Sequence, residues 1–306
     1  MGSETSFYSL RRGTRKLHTF LLSPPRVHVL SELRLRRTNL ELADLEVPAF
    51  IVSVFLTLKS WSAWYSDLIS VNRFRVPIQQ RLALLGAPVV SLVFIFVTLT
   101  KLASSDVRHD PLYLAFYLLI GAAWMGGGTL LFPFLGISAR DDILERGNGA
   151  SAWAIVGALA GISCSFAGGN IGNGPGVAAV LFSAVLSTGL FFVLWFVLDV
   201  LTSISDAITI DREKDAGIRM AGFLVGLGLL SGWSVAGDWV SAPSTLKDFL
   251  HSSWPAVAIT AIAAFLELTL KRASIRLSSR ISVSAFVSAA YIGLGLAWIV
   301  IRGVRS

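Results

Sequence analysis

The sequence predicts an all-α polytopic membrane protein with seven, at most eight, transmembrane helices, including two tandem helical-hairpin repeats. Three observations carry this. The 306 residues are 54% hydrophobic and only 15% charged, with a mean hydropathy of +0.69, whereas a soluble chain carries about 25% charged residues. From residue 47 onward, apolar runs recur at the roughly 20-residue length that a helix needs to cross a hydrocarbon core about 30 Å thick. Finally, a shift of 65 residues (112 to 177) lays run 112–136 on 177–201 and run 152–168 on 217–233. It superposes Asp141 on Asp206, Ile143 on Ile208, and the pair Gly157/Gly161 on Gly222/Gly226.

Residues 1–46 form a net-basic polar segment, with Arg11, Arg12, Arg15, Lys16, Arg26, Arg34, Arg36 and Arg37 outnumbering its acids. Its brief apolar stretch ends at Pro24 and Pro25, so no cleaved signal is expected. Residues 47–81 read as an amphipathic interfacial or re-entrant helix followed by a basic linker. Lys59 interrupts the apolar run, and Leu58, Trp61, Trp64, Tyr65 and Leu68 recur at helical spacing with Ser60, Ser62, Ser66 and Asp67 between them. A lysine in the middle of a lone span is costly, which favours a helix at the interface, with a true crossing as the alternative. Residues 82–306 form the transmembrane domain, with apolar runs at 82–102, 112–136, 152–168, 177–201, 218–237, 254–270 and 283–301 and repeat hairpins at 112–170 and 177–237.

Charge sets the expected orientation. Arg73, Arg75 and Arg81, then Arg140 and Arg146, then Arg212, Lys214 and Arg219, then Lys271, Arg272, Arg276 and Arg280 fall in alternate connectors, which the positive-inside rule places in the cytoplasm. A multi-pass protein of the plasma (inner) membrane with a cytoplasmic N-terminus is the expectation. Topology also accounts for the formal charge of +7, so no nucleic-acid partner is expected. The expected partners are the lipid bilayer, further copies of the chain or other membrane subunits, and a soluble cytoplasmic protein or anionic headgroups at the basic tail.

The run Asp142-Ile143-Leu144-Glu145-Arg146-Gly147-Asn148-Gly149-Ala150-Ser151-Ala152, followed by Gly157 and Gly161, resembles the domain of unknown function 350 family of bacterial inner-membrane proteins. The likeness covers about residues 112–240. In the second copy, Glu213 stands where that family's second asparagine is expected. The resemblance implies a bacterial plasma-membrane protein built from helical hairpins, and it leaves the activity open.

Catalytic chemistry is poorly supplied. The four histidines, His18, His28, His109 and His251, are scattered over polar segments. The single Cys164 has no partner for a disulfide or thiolate metal site. There is no HExxH, P-loop or nucleophile elbow, so neither an enzyme nor a bound cofactor or metal is expected. Gly157, Gly161, Gly222 and Gly226 read as helix-packing sites, because small residues let backbones approach where lipid offers no hydrophobic drive. Gly126, Gly127 and Gly128 read as a mid-membrane kink, serving either packing or a pathway. Asn148, Asn170 and Asn173 complete the packing or pathway candidates, the last two within the uncharged loop 168–176. Among intramembrane acids, Asp199 is a pathway candidate, whereas Glu267 reads as a local ion pair with Lys271 one turn on. Trp153, Trp195, Trp233, Trp239, Trp254 and Trp298 read mostly as interfacial anchors. The functional expectation is a structural or assembly subunit of a membrane complex. The alternative is a channel or facilitator for a small uncharged or cationic solute.

Overall fold

The computed structural model describes residues 25–70, 77–272 and 281–303. The tail before residue 25, the positions of Arg73, Arg75, Arg276 and Arg280, and residues 304–306 lie outside them. The chain divides into two units, Met1–Val47 and Pro48–Ser306. The described part of the first is helical from Pro25; the second is a helical bundle.

Among the described residues there is no strand. The helices are α1 (Pro25–Ser70), α2 (Ile78–Leu102), α3 (Ser105–His109), α4 (Pro111–Thr129), α5 (Gly149–Gly168), α6 (Val177–Thr202), α7 (Ile204–Thr209), α8 (Lys214–Val235), α9 (Ala242–Ser252), α10 (Trp254–Arg272) and α11 (Ile281–Arg302). A 3-10 turn (Phe132–Leu135) and a wide π-helical turn (Ala139–Glu145) join α4 to α5. Among the described residues, eight helical stretches are long and apolar enough to cross a membrane: Leu45–Ser70, α2, α4, α5, α6, α8, Ala242–Lys271 and α11. Such a bundle is compatible with a multi-pass integral membrane protein.

Helix starts follow local chemistry. Pro111 opens α4, where its missing N–H costs nothing, and the Asp110 carboxylate accepts from Leu112 N at 2.8 Å. Asn148 caps α5, its Oδ1 accepting from Ala150 N at 3.0 Å.

The centre of the bundle is α5 against α8, the most extensive helix contact in the molecule. They run in the same direction. Ala150 meets Gly217, Gly157 meets Ala221, Gly161 meets Leu224 and Gly228, and Gly168 meets Gly232. At each level a Cβ added to the glycine would overlap the facing backbone. On its other side α8 packs on α11, again in parallel, with Gly222 on Ser288 and Gly226 on Tyr291. At the far side of α5, Gln80 of α2 reaches Gly149 at one end, and Gly172 N donates to Leu102 O at the other. Thus α2, α5, α8 and α11 form a parallel row, and the helices between them in the chain run back along it.

The second half of α1 lies lengthwise on α4. Thr57 Oγ1 donates to Leu119 O, Trp61 Nε1 donates to Ala122 O at 2.9 Å, and Ser60 abuts Gly126. Residue numbers rise together, so the two are parallel. Trp64 Nε1 donates to Leu84 O at 3.2 Å, tying the same segment to α2. This stretch, expected at the interface, is therefore aligned with the other spans, and Lys59 stands level with the last turn of α4.

Two expectations are corrected. The run 112–136 is not one span with a glycine kink. Helix α4 continues unbroken through Gly126, Gly127 and Gly128 to Thr129, then tightens into the 3-10 turn. The glycines are kept for contact: a Cβ at Gly126 would strike Ser60 and one at Gly128 would strike Ile162, while Gly127 faces open space. Trp195 is no interfacial anchor. It is fully buried, its ring 5.6 Å from that of Phe132 and 6.0 Å from that of Phe191.

Candidate functional site

Polar groups gather at three levels of the bundle. At the end opposite the basic connectors, loop 168–176 and the segment after α8 are joined by backbone hydrogen bonds. Gly237 N donates to Ile171 O at 3.0 Å, and Trp239 N donates to Asn173 O at 2.7 Å. Gly172 (φ 103°) and Gly237 (φ 138°) adopt positive φ, which only glycine does without strain. Asp238 Oδ1 accepts from Asn173 N at 2.7 Å and from Asn173 Nδ2 at 3.0 Å. Together these loops surround a cavity of about 270 Å³ whose polar lining includes Ser183, Ser234, Thr245, Asp238 and Asp248. Asn170 also borders it, and its Nδ2 donates one hydrogen bond to Phe166 O at 2.8 Å. Uncharged backbone and hydroxyl groups beside two carboxylates suit a small polar or cationic occupant. Below the cavity the α5–α8 seam is closed backbone to backbone.

Midway, hydroxyls within the spans are tied to neighbouring helices. Ser165 Oγ and Ser231 Oγ share a hydrogen bond at 2.9 Å, Ser187 Oγ donates to Ser165 O at 3.0 Å, and Trp124 Nε1 donates to Thr188 Oγ1 at 3.0 Å. They join α4, α5, α6 and α8 rather than line a channel.

The third level is a buried ion pair. Arg219 donates from Nε to Glu267 Oε1 at 2.6 Å and from Nη2 to Oε2 at 2.7 Å, and from Nη1 to Ser284 Oγ at 3.3 Å. The side chains are 6% and 11% exposed. Three helices, α8, α10 and α11, are joined by one guanidinium. This corrects the local pairing expected for Glu267: its partner is Arg219, 48 positions away, and not Lys271. A bidentate fork fixes both oxygens, which a lysine on the adjoining turn does not do. The signal available in the sequence was an arginine inside run 218–237, which charge counting had assigned to the connector.

The remaining candidates serve the turns. Asp199 Oδ1 accepts from Ser205 N at 2.9 Å, capping α7 beyond the left-handed Ser203 (φ 53°). Asn148, besides capping α5, donates from Nδ2 to Ile208 O at 2.7 Å and so joins the two hairpins' connectors. Asp142, which the sequence did not single out, is buried and accepts from Ser138 N at 2.7 Å. Burial pushes its carboxyl above the usual carboxylate range, opposed by the Ser138 N–H and by Arg146. Among the described residues no group of histidine, cysteine and carboxylate side chains could hold a metal ion.

Compared with known proteins, the chain matches no family model, no curated protein and no solved structure.

Proposed function

We propose that the protein is a non-enzymatic integral subunit of the bacterial plasma membrane, working in association with further copies or partner subunits. The observation that carries this reading is the α5–α8 seam, where glycines bring the two central backbones into contact from Gly217 to Gly232. Helices held so closely neither slide nor part at low cost, since interiors at native density have no slack to absorb motion. A rigid centre suits a platform. It does not suit alternating access, in which one repeat rocks against another. Support also comes from the hydroxyls and the Arg219–Glu267 pair, whose bonds are spent inside the bundle. The 65-residue repeat and the resemblance to the domain of unknown function 350 family agree with a hairpin-built membrane component.

The test is purification from native membranes followed by crosslinking and reconstitution alone in liposomes. Recovery with copies or partners and no solute flux is the expected outcome. A monomer that conducts solute would replace this reading with the facilitator, whose own support is the cavity beside Asp238 and Asp248.

A further inference from the structure

The walls of the cavity opposite the basic connectors are held by backbone. Gly172 N donates to Leu102 O at 3.3 Å, and with the bonds from Gly237 N and Trp239 N to loop 168–176 this fixes the chain at the ends of α2, α5 and α8 side by side. Walls already in place cost a ligand no ordering. Two side chains bordering the cavity, Asn170 and Ser183, are each only 5% exposed. Among the described residues, Asn170 Oδ1 and the Ser183 hydroxyl take part in no hydrogen bond. Buried polar groups are ordinarily paired, so two bare oxygens in one cavity call for an occupant. Asp238 and Asp248 border the same space; Asp238 Oδ1 is fixed by Asn173, and among the described residues neither carboxylate has an ion pair. Asp248 stands one turn after Thr245 on α9, and both line the cavity. No described lysine, arginine or histidine lines it, so nothing there would receive a carboxylate or phosphate. A metal ion fits poorly as well, since the carboxylates are too few for a metal-holding group and a volume of about 270 Å³ far exceeds one ion. An alkylammonium presents three N–H donors to such oxygens, and Tyr117 and Trp239 in the same lining are rings suited to a cation with a hydrocarbon body.

We infer that this cavity binds a small organic amine, its ammonium drawn to the Asp238 and Asp248 carboxylates and a polar group at its far end hydrogen-bonded by Asn170 Oδ1 and the Ser183 hydroxyl. The inference rests on the cavity and not on the assembly reading, so the two fail separately.

The experiment is titration calorimetry of the full chain in nanodiscs of phosphatidylcholine, with putrescine as the probe. Wild type should give saturable one-to-one binding, weaker with n-butylamine, which lacks the far polar group, and absent with butanediol, which lacks the charge. Asp238→Asn and Asp248→Asn, both at exposed positions that the fold tolerates, should each weaken putrescine at least tenfold. Ser183→Ala removes only the buried hydroxyl and should weaken it roughly fivefold, the worth of one hydrogen bond; Ser183→Leu, which fills the cavity and leaves both charges, should abolish it. Lys247→Gln, next to Asp248 but outside the lining, should change nothing. The absence of saturable binding would overturn the site. So would affinity that both Ser183 variants leave intact, which marks attraction to surface charge alone, or displacement of putrescine by calcium at equal concentration, which marks a metal site. Recovery with copies or partners, the readout for the assembly reading, is unaffected by any of these results.

Discussion

Helix α8 has two unlike faces. Toward α5 it presents Gly217, Ala221, Gly228 and Gly232, and the contact is backbone on backbone. Toward α10 and α11 it presents Arg219 below Gly222 and Gly226, and the contact combines close approach with an ion pair to Glu267. The first face gains from dispersion and from weak backbone contacts that only small residues permit. The second gains from one charged fork, whose two ions were expensive to remove from water. Close packing is thus spread over many small contributions, whereas the ion pair concentrates its effect in two side chains. The two faces should therefore fail differently under mutation.

The largest effect is expected at the ion pair. Glu267→Ala strands a buried guanidinium and should cost about 3–5 kcal/mol, read as loss of thermal stability in detergent or nanodiscs. Arg219→Met with Glu267→Leu should recover most of that loss, because no uncompensated charge remains. If the double variant is no better than Glu267→Ala, the pair contributes more than mutual neutralisation and the contrast drawn for α8 fails.

Next comes the glycine seam. Gly157→Leu or Gly168→Leu drives a side chain into the backbone of Ala221 or Gly232 and should cost at least about 1–3 kcal/mol. Gly127→Ala, facing open space, is the control and should change stability little. Equal tolerance of all three would mean that α5 and α8 separate freely.

Asn148→Ala removes the cap of α5 and the bond to Ile208 O, for an expected loss of about 1–2 kcal/mol. The readout is faster hydrogen exchange at Ala150 and Ser151 and in α7. Exchange altered at α5 alone would show that the bridge between the connectors contributes nothing.

The smallest effect concerns pH. Burial raises the Asp142 carboxyl, so its protonated form favours the folded connector. That contribution is fully present below the ordinary carboxylate value of about 4 and is lost as pH rises through the raised one. Asp142→Asn stays neutral and still accepts from Ser138 N, so it should flatten the pH dependence of connector stability, by about 1 kcal/mol or less. A melting profile with the same slope in both proteins would refute it.

Much of the scaffold was legible because membrane spans are written locally. A run such as 177–201 must satisfy its backbone within itself, and its length is set by the hydrocarbon; the helix Val177–Thr202 follows it closely. The short helices α3 and α7 were not legible, since a turn or two of mixed polarity has no periodic signature, whereas the eleven-residue α9 was missed although Leu246, Phe249 and Leu250 stand at helical spacing. Gly126, Gly127 and Gly128 were misread because low helix propensity was weighed without the neighbours that make closeness worthwhile.

The sequence by itself determined the class, the approximate spans and the alternation of basic connectors, all of which depend on residues adjacent in the chain. Only tertiary structure decided that α1 lies lengthwise on α4, that Trp195 is buried, and that Arg219 takes Glu267. These depend on which helix faces settle against each other, and in an apolar run nearly every face is apolar. Hydrophobic periodicity, the usual guide to the inward face, is therefore silent there, and the choice falls to shape and to a few polar groups that need partners.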